Sequence, residues 1–173
     1  DSRSTCYQMN HKFEDIEVKE NAIELLEDAL KRKRKKCMIG MGSMTDPYIP
    51  EELKLKHTRK ALEVASKYGF GITPITKSNR VLRDLDLLKE INQKTKCVVQ
   101  MTLTTYDEEL CKKIEPNVST TKERFEALLT LRDAGIPTVV WLTPLLPYNR
   151  NTKLLQRSKS IWNHLLWNRS DSA

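Results

Sequence analysis

Hydrophobic positions along this chain switch between two periods. From Asn21 onward Ala22, Ile23, Leu25, Leu26, Ala29 and Leu30 recur at three- and four-residue spacing, which predicts a helix over about 21–35. An apolar run follows almost without a gap and predicts a strand at about 37–41, closed by the polar loop Gly42-Ser43-Met44-Thr45-Asp46-Pro47. Pro50 suits a first helical position, and Glu51 and Glu52 suit the positive end of a helix dipole. Leu55, Thr58, Leu62 and Ala65, with Leu53 beside them, form the buried stripe of that helix, and Gly69 ends it as a left-handed cap. A second strand is predicted at 70–76, with Pro74 withholding one ladder donor. Ser78 or Asn79 caps the next helix, whose apolar face is Val81, Leu82, Leu85, Leu88 and Ile91. A third strand spans 97–103, and 107–114 predicts a short helical insert. Thr120-Thr121-Lys122-Glu123 fits a capping box and opens a helix through Phe125, Leu128, Leu129 and Leu131 that stops at Gly135. The fourth strand is predicted at 137–143. Residues 1–19 are polar and irregular, with Tyr7, Phe13, Ile16 and Val18 as anchors.

Near-continuous apolar strands separated by amphipathic helices imply an α/β fold with a parallel sheet under helices. The spacing of about thirty residues between strands is that of a βα unit. Four such strands make either half a barrel or a small open sheet. Ligands of these folds sit at the carboxyl ends of the strands. The polar stretches after each strand therefore hold the candidate chemistry.

The chain of 173 residues suits one domain, one able to bury about 70% of its unfolded surface. Its formal charge of +7, pI of 9.2 and 31% charged residues favour acidic partners such as nucleic acid or phosphorylated ligands. Much of the excess lies in Lys31-Arg32-Lys33-Arg34-Lys35-Lys36. That run reads either as the solvated, cation-rich end of a helix or as a phosphate contact. No segment approaches the ~18 apolar residues of a membrane span, and Asp1-Ser2-Arg3-Ser4-Thr5 leads into no apolar signal core. Cys6, Cys37, Cys97 and Cys111 form no CxxC pair, which argues against a zinc site and suits a reducing cytoplasm. His11, His57 and His164 share no motif and read as solvated side chains.

Five stretches then agree on one family: Gly42-Ser43-Met44-Thr45-Asp46-Pro47-Tyr48, Ile75-Thr76-Lys77-Ser78, Lys113-Ile114-Glu115-Pro116-Asn117, Arg124-Phe125-Glu126-Ala127-Leu128 and Trp141-Leu142-Thr143-Pro144-Leu145-Leu146-Pro147. In this order and at these intervals they resemble the radical S-adenosylmethionine enzymes of the spore photoproduct lyase type, the DNA repair photolyase-like proteins, over about residues 1–152. The resemblance implies a partial (βα) barrel of about four parallel strands with covering helices. It also implies a [4Fe-4S] cluster on a Cys-x3-Cys-x2-Cys loop, reductive cleavage of S-adenosylmethionine to a 5′-deoxyadenosyl radical, and DNA as a partner. Asp1-Ser2-Arg3-Ser4-Thr5-Cys6-Tyr7 looks like the segment just downstream of the third cluster cysteine. The expectation is therefore a fragment without cluster ligands, inactive as it stands, whose missing strands invite completion from elsewhere or self-association. For cofactor contacts the resemblance points to Gly42 and Ser43, whose amides suit a carboxylate, and to Asp46, which suits an ammonium. Lys77, Thr102, Thr104 and Arg124 stand at similar positions on later strand ends. Competing readings make Asp46 a turn residue, Ser78 a cap, the threonines ordinary strand residues and Arg124 the partner of a neighbouring Glu.

After Thr152 the family pattern stops, leaving 153–173 as an atypical tail with Trp162, Leu165, Leu166 and Trp167 in a polar setting. Read one base forward, Ile161–Ser170 can encode YGIICCGIGL, a string similar to the next family strand, so the tail is expected to be out of frame. The alternative is an amphipathic helix at 153–167 that covers the sheet. Two rivals to an enzyme fragment remain, a non-functional gene remnant and a basic nucleic-acid-binding module without catalysis.

Overall fold

The computed structural model describes residues 16–144 and 151–167, with side chains described only for 152–160 in the second segment. Tyr7, Phe13, Cys6 and Leu145–Pro147 lie outside the described residues, as do the side chains of Ile161–Ser170. Four strands, β1 (Met38–Met41), β2 (Gly71–Thr76), β3 (Val99–Leu103) and β4 (Thr138–Leu142), form one sheet in the order β1-β2-β3-β4, every pair parallel. Helices intervene as the βα spacing requires: α1 (Ala22–Arg32), α2 (Glu52–Leu55), α3 (His57–Tyr68), α4 (Leu85–Lys94), α5 (Glu108–Ile114), α6 (Thr121–Asp133) and α7 (Asn151–Trp167). The α/β reading and the partial-barrel architecture hold.

Register separates the sheet into two faces. Ile72, Cys97, Val99, Met101 and Leu103 point one way and are buried. They pack with Leu62, Leu88, Phe125, Leu128 and Leu131 from α3, α4 and α6 in the core. Gly40, Thr73, Ile75, Gln100, Val139 and Trp141 point the other way and are exposed or half-buried. Among the described residues, helices therefore cover one face only. Ile72 N–H donates to Lys96 O at 3.0 Å and Ile72 O accepts from Val98 N at 3.0 Å. The next donor on that edge falls at Pro74, which has none, so the ladder to β3 resumes only at Ile75–Gln100.

Two helices depart from the sequence pattern. The stripe from Pro50 to Gly69 is broken at Lys56, which takes φ 53° between α2 and α3. The cause is Glu52, buried at the break. Its Oε1 accepts the N–H of Thr58 at 3.0 Å, satisfying an orphan donor of α3, and pairs with Arg83 at 2.9 Å. The helix after Ser78 begins as a 3-10 turn (Asn79–Asp84), with Ser78 Oγ accepting from Arg80 N at 3.2 Å. By contrast α6 starts where predicted: Thr120 Oγ1 accepts from Glu123 N, and Glu123 Oε2 accepts from Thr120 N at 2.7 Å. In the tail, α7 places Leu154 in the core and Arg157 4.9 Å from the Phe125 ring centre.

Gly42 turns the chain out of β1 at φ 97°, and a Cβ there would stand 2.3 Å from Ile75 O and 3.0 Å from Pro47 Cδ. Gly42→Ala is expected to cost at least about 1–3 kcal/mol, read as a lower urea midpoint with an unchanged slope. β1 and β4 each present an outer edge with no strand partner among the described residues. Light scattering is expected to show a mass that rises with concentration; a monomer at every concentration would contradict this.

Candidate cofactor-binding rim

Because the strands are parallel, the loops after β1, β2 and β3 gather at one end of the sheet. Asp46, in the first loop, is bound by its neighbour strand. Its Oδ1 accepts from Tyr48 N at 2.8 Å and Thr76 Oγ1 at 2.7 Å, and its Oδ2 accepts from Lys77 N at 2.7 Å. Three of the carboxylate's roughly four acceptor sites are thus spent on bolting the β1 loop to the tip of β2. Ser43 stands exposed at the turn of that loop, beside Gly42.

Lys77, Thr104 and Arg124 converge on a residue that none of the site predictions named. Glu115 lies just past α5, and its amide donates to Cys111 O at 2.8 Å. Glu115 Oε1 accepts from Lys77 Nζ and, at 3.0 Å, from Thr104 Oγ1. Its Oε2 accepts from Arg124 Nη2 at 2.7 Å. Arg124 is 0% exposed, and its other donors meet protein too: Nε reaches Ser119 O at 2.7 Å, and Nη1 reaches Thr102 O at 2.9 Å. Thr102 therefore enters through its carbonyl, while its side chain sits buried on the face away from the helices. Lys77 is the open member of the group, with 35% of its side chain exposed against 11% for Glu115. With Asp46, whose Oδ2 accepts from the Lys77 amide, the rim holds two cations and two carboxylates, and Lys77 is the more exposed of the cations.

The structure thus brings Asp46, Lys77, Thr104 and Arg124 together and places Gly42 and Ser43 on the adjoining loop. Arg124 stands behind Glu115, so it bears on a ligand at the rim through that carboxylate. Burial pushes the Glu115 carboxyl up, but the hydrogen bonds from Lys77 and Arg124 outweigh it and hold the group below its ordinary 4.5. Stability from this group is full above that ordinary value and is lost as pH falls through the lowered folded value. Glu115→Gln is expected to flatten that acid limb of a stability–pH curve. Glu115→Ala, which strands the buried guanidinium, is expected to cost about 3–5 kcal/mol by chemical denaturation.

The described residues do not fit an iron–sulfur cluster. Cys37 is exposed, Cys97 and Cys111 are buried, and no group of three His, Cys, Asp or Glu side chains is placed to hold a metal ion. Burial pushes the Cys97 thiol up to about 12, away from the thiolate that a metal takes. An anionic or zwitterionic group suits the rim better, since Lys77 offers it a cation. No helix among the described residues is long and apolar enough to cross a membrane.

Comparison with known proteins agrees with the parallel βα fold. The sequence matches the Radical SAM superfamily over residues 5–155. It is 36% identical over 132 residues to the uncharacterized protein MJ0683 of Methanocaldococcus jannaschii, covering 76% of this chain and 48% of that protein. The uncharacterized protein ORF301 of Acidianus two-tailed virus is 33% identical over 113 residues, covering 65% of this chain and 36% of the viral protein. The uncharacterized protein Rv2578c of Mycobacterium tuberculosis is 27% identical over 133 residues, covering 76% and 39%. This chain spans half or less of the length of these relatives, and no solved structure matches it. This chain, a parallel βα sheet that matches the family along most of its length, belongs to the Radical SAM superfamily.

Proposed function

We propose that this chain supplies the S-adenosylmethionine-binding side of a radical S-adenosylmethionine enzyme of the spore photoproduct lyase type, acting on DNA photoproducts. One observation carries the reading: Lys77 stands at a strand tip with 35% of its side chain exposed, and Glu115, which buried Arg124 also engages, holds it there. Lys77 receives the methionine carboxylate as an ion pair, and the Gly42–Ser43 turn lies beside it to accept the rest of that moiety. Thr104 shares Glu115 Oε1 with Lys77, so a ligand that draws Lys77 outward leaves the carboxylate still bonded to Thr104 and Arg124. Asp46 fixes the backbone of Lys77 and thereby the height of the ammonium above the sheet. The cluster thiolates come from outside the described residues, and the cluster, when bound, supplies the electron that cleaves the cofactor.

A second reading rests on Lys31–Lys36, which is exposed throughout and leads from the end of α1 into the start of β1. That connection sits at the amino ends of the strands, opposite the rim. There the tract makes a nucleic-acid contact that needs no chemistry. Under this reading DNA affinity falls steeply with salt and is lost when the run is neutralised.

Calorimetric titration with S-adenosylhomocysteine tests the first reading. Lys77→Ala is expected to weaken binding about tenfold or more, as loss of a charge-assisted bond does, with a smaller loss of thermal stability than Glu115→Ala. No detectable binding by the unaltered chain would sink it. Anaerobic reconstitution is expected to leave this chain without a cluster; iron and sulfide at cluster stoichiometry, with 5′-deoxyadenosine formed, would show instead that it carries its own ligands.

A further inference from the structure

Across the sheet face that the helices leave open runs a chain of three side chains from three strands. Trp141 Nε1 donates to Gln100 Oε1 at 2.6 Å, and Gln100 Nε2 donates to Thr73 Oγ1 at 2.7 Å. Register puts all three on that face: Gln100 lies opposite Val139 and Ile75, and Trp141 opposite Thr102. An indole N–H only donates, so Trp141 determines which end of the Gln100 amide is oxygen and turns the nitrogen to Thr73. The amide is locked at both ends.

The lock leaves specific valences unused. Trp141 is 49% exposed, yet its single polar side-chain atom is already bonded, so what its side chain offers to the open side is aromatic ring surface. Gln100 has spent one carbonyl lone pair and one amide hydrogen, and keeps one of each. A free acceptor and a free donor on one amide are what a glutamine uses to read a base. Space is present too, because a Cβ built on Gly40, on the same face, meets nothing within 4 Å. An immobilised aromatic plate beside an amide edge, in a chain of formal charge +7, complements a flat heteroaromatic ring that carries its own donor and acceptor and hangs from an anionic backbone.

We propose that this wall is a base-reading subsite, in which one nucleobase of a nucleic-acid substrate stacks on Trp141 and pairs with the free amide edge of Gln100. The inference rests on the nucleic-acid substrate proposed above and assigns residues to its recognition. Trp141 supplies most of the affinity, and Gln100 supplies the preference among bases. The subsite is separate from the cofactor rim, whose Asp46, Lys77 and Thr104 all lie beyond the strand ends.

Fluorescence anisotropy with short labelled oligothymidylate and oligodeoxyadenylate at fixed salt tests this on the full chain. Trp141→Ala is expected to weaken binding about tenfold or more, and Trp141→Phe, which keeps a plate, to recover most of it. Gln100→Leu is expected to change the ratio of the two affinities while leaving the salt dependence intact. Thermal melts of each variant, with Trp141→Phe as the conservative partner, separate lost binding from lost fold. Oligonucleotide affinity unchanged in folded Trp141→Ala would overturn the proposal. So would an equal loss of affinity for heparin, a polyanion without bases. An S-adenosylhomocysteine affinity that falls in Trp141→Ala but not in Lys77→Ala would give the plate to the cofactor and overturn it as well. Failure of the cofactor reading appears elsewhere, as absent S-adenosylhomocysteine binding with base-dependent oligonucleotide binding retained.

Discussion

The carboxylate of Glu115 is where fold and candidate site become one constraint. It sits at the end of α5 and is met by the tip of β2 through Lys77, the tip of β3 through Thr104, and α6 through Arg124. A guanidinium that is 0% exposed is tolerable only with a nearby counter-charge and with its donors filled, because the desolvation cost of a buried ion is several kcal/mol. Ser119 O and Thr102 O fill two of the remaining directions, so Arg124 also stitches the α5–α6 connection to β3. The capping box at Thr120–Glu123 fixes the first turn of α6 and so the angle at which Arg124 enters. Glu115 is thereby shared between a buried cation, Arg124, and a partly exposed one, Lys77.

Elements governed by local chemistry were legible in the sequence, and those governed by distant partners were not. The βα alternation, the capping box, the Gly69 cap and the Pro74 gap each follow from a few adjacent residues, and each stands where the pattern put it. The break between α2 and α3 did not show, because it depends on Glu52 meeting Arg83, thirty-one residues away. Glu115 was overlooked for the same reason. It lay inside a motif already singled out, yet its partners are 38, 11 and 9 residues distant, and no period reports that a carboxylate beside a proline will be buried. The signal in the sequence was Arg124, which interrupts an apolar helix face and needs an acid, and its competing reading as the partner of a Glu is met by Glu115.

Asp46 fits the competing reading of a turn residue, since its Oδ1 accepts from Tyr48 N two residues on, and its other contacts are the Thr76 hydroxyl and the Lys77 amide. It orders the rim from within. The strands carry a similar lesson. They read as near-continuous apolar runs, whereas β3 alternates Val99, Met101 and Leu103 with Gln100 and Thr102. That period of two is the mark of a sheet with one dry face and one face kept for other uses, and a half-barrel needs this on its concave side.

Geometry also decides how the basic tract relates to the rim. Lys31–Lys36 enters the sheet at the amino end of β1, and the Lys77 ammonium sits beyond the carboxyl end of β2. A strand of four to six residues separates the two ends by about 13–20 Å. Exposed charges are screened over ~8–10 Å at ordinary ionic strength, so the tract contributes little field at the rim. A nucleic acid held by the tract would have to pass along the length of the sheet before any base reached the rim. The open face, with Trp141 and Gln100 part-way along it, is the surface such a path would follow. On the proposed nucleic-acid reading, the tract would anchor a long polyanion, and selection of a single base would fall to groups on the sheet itself.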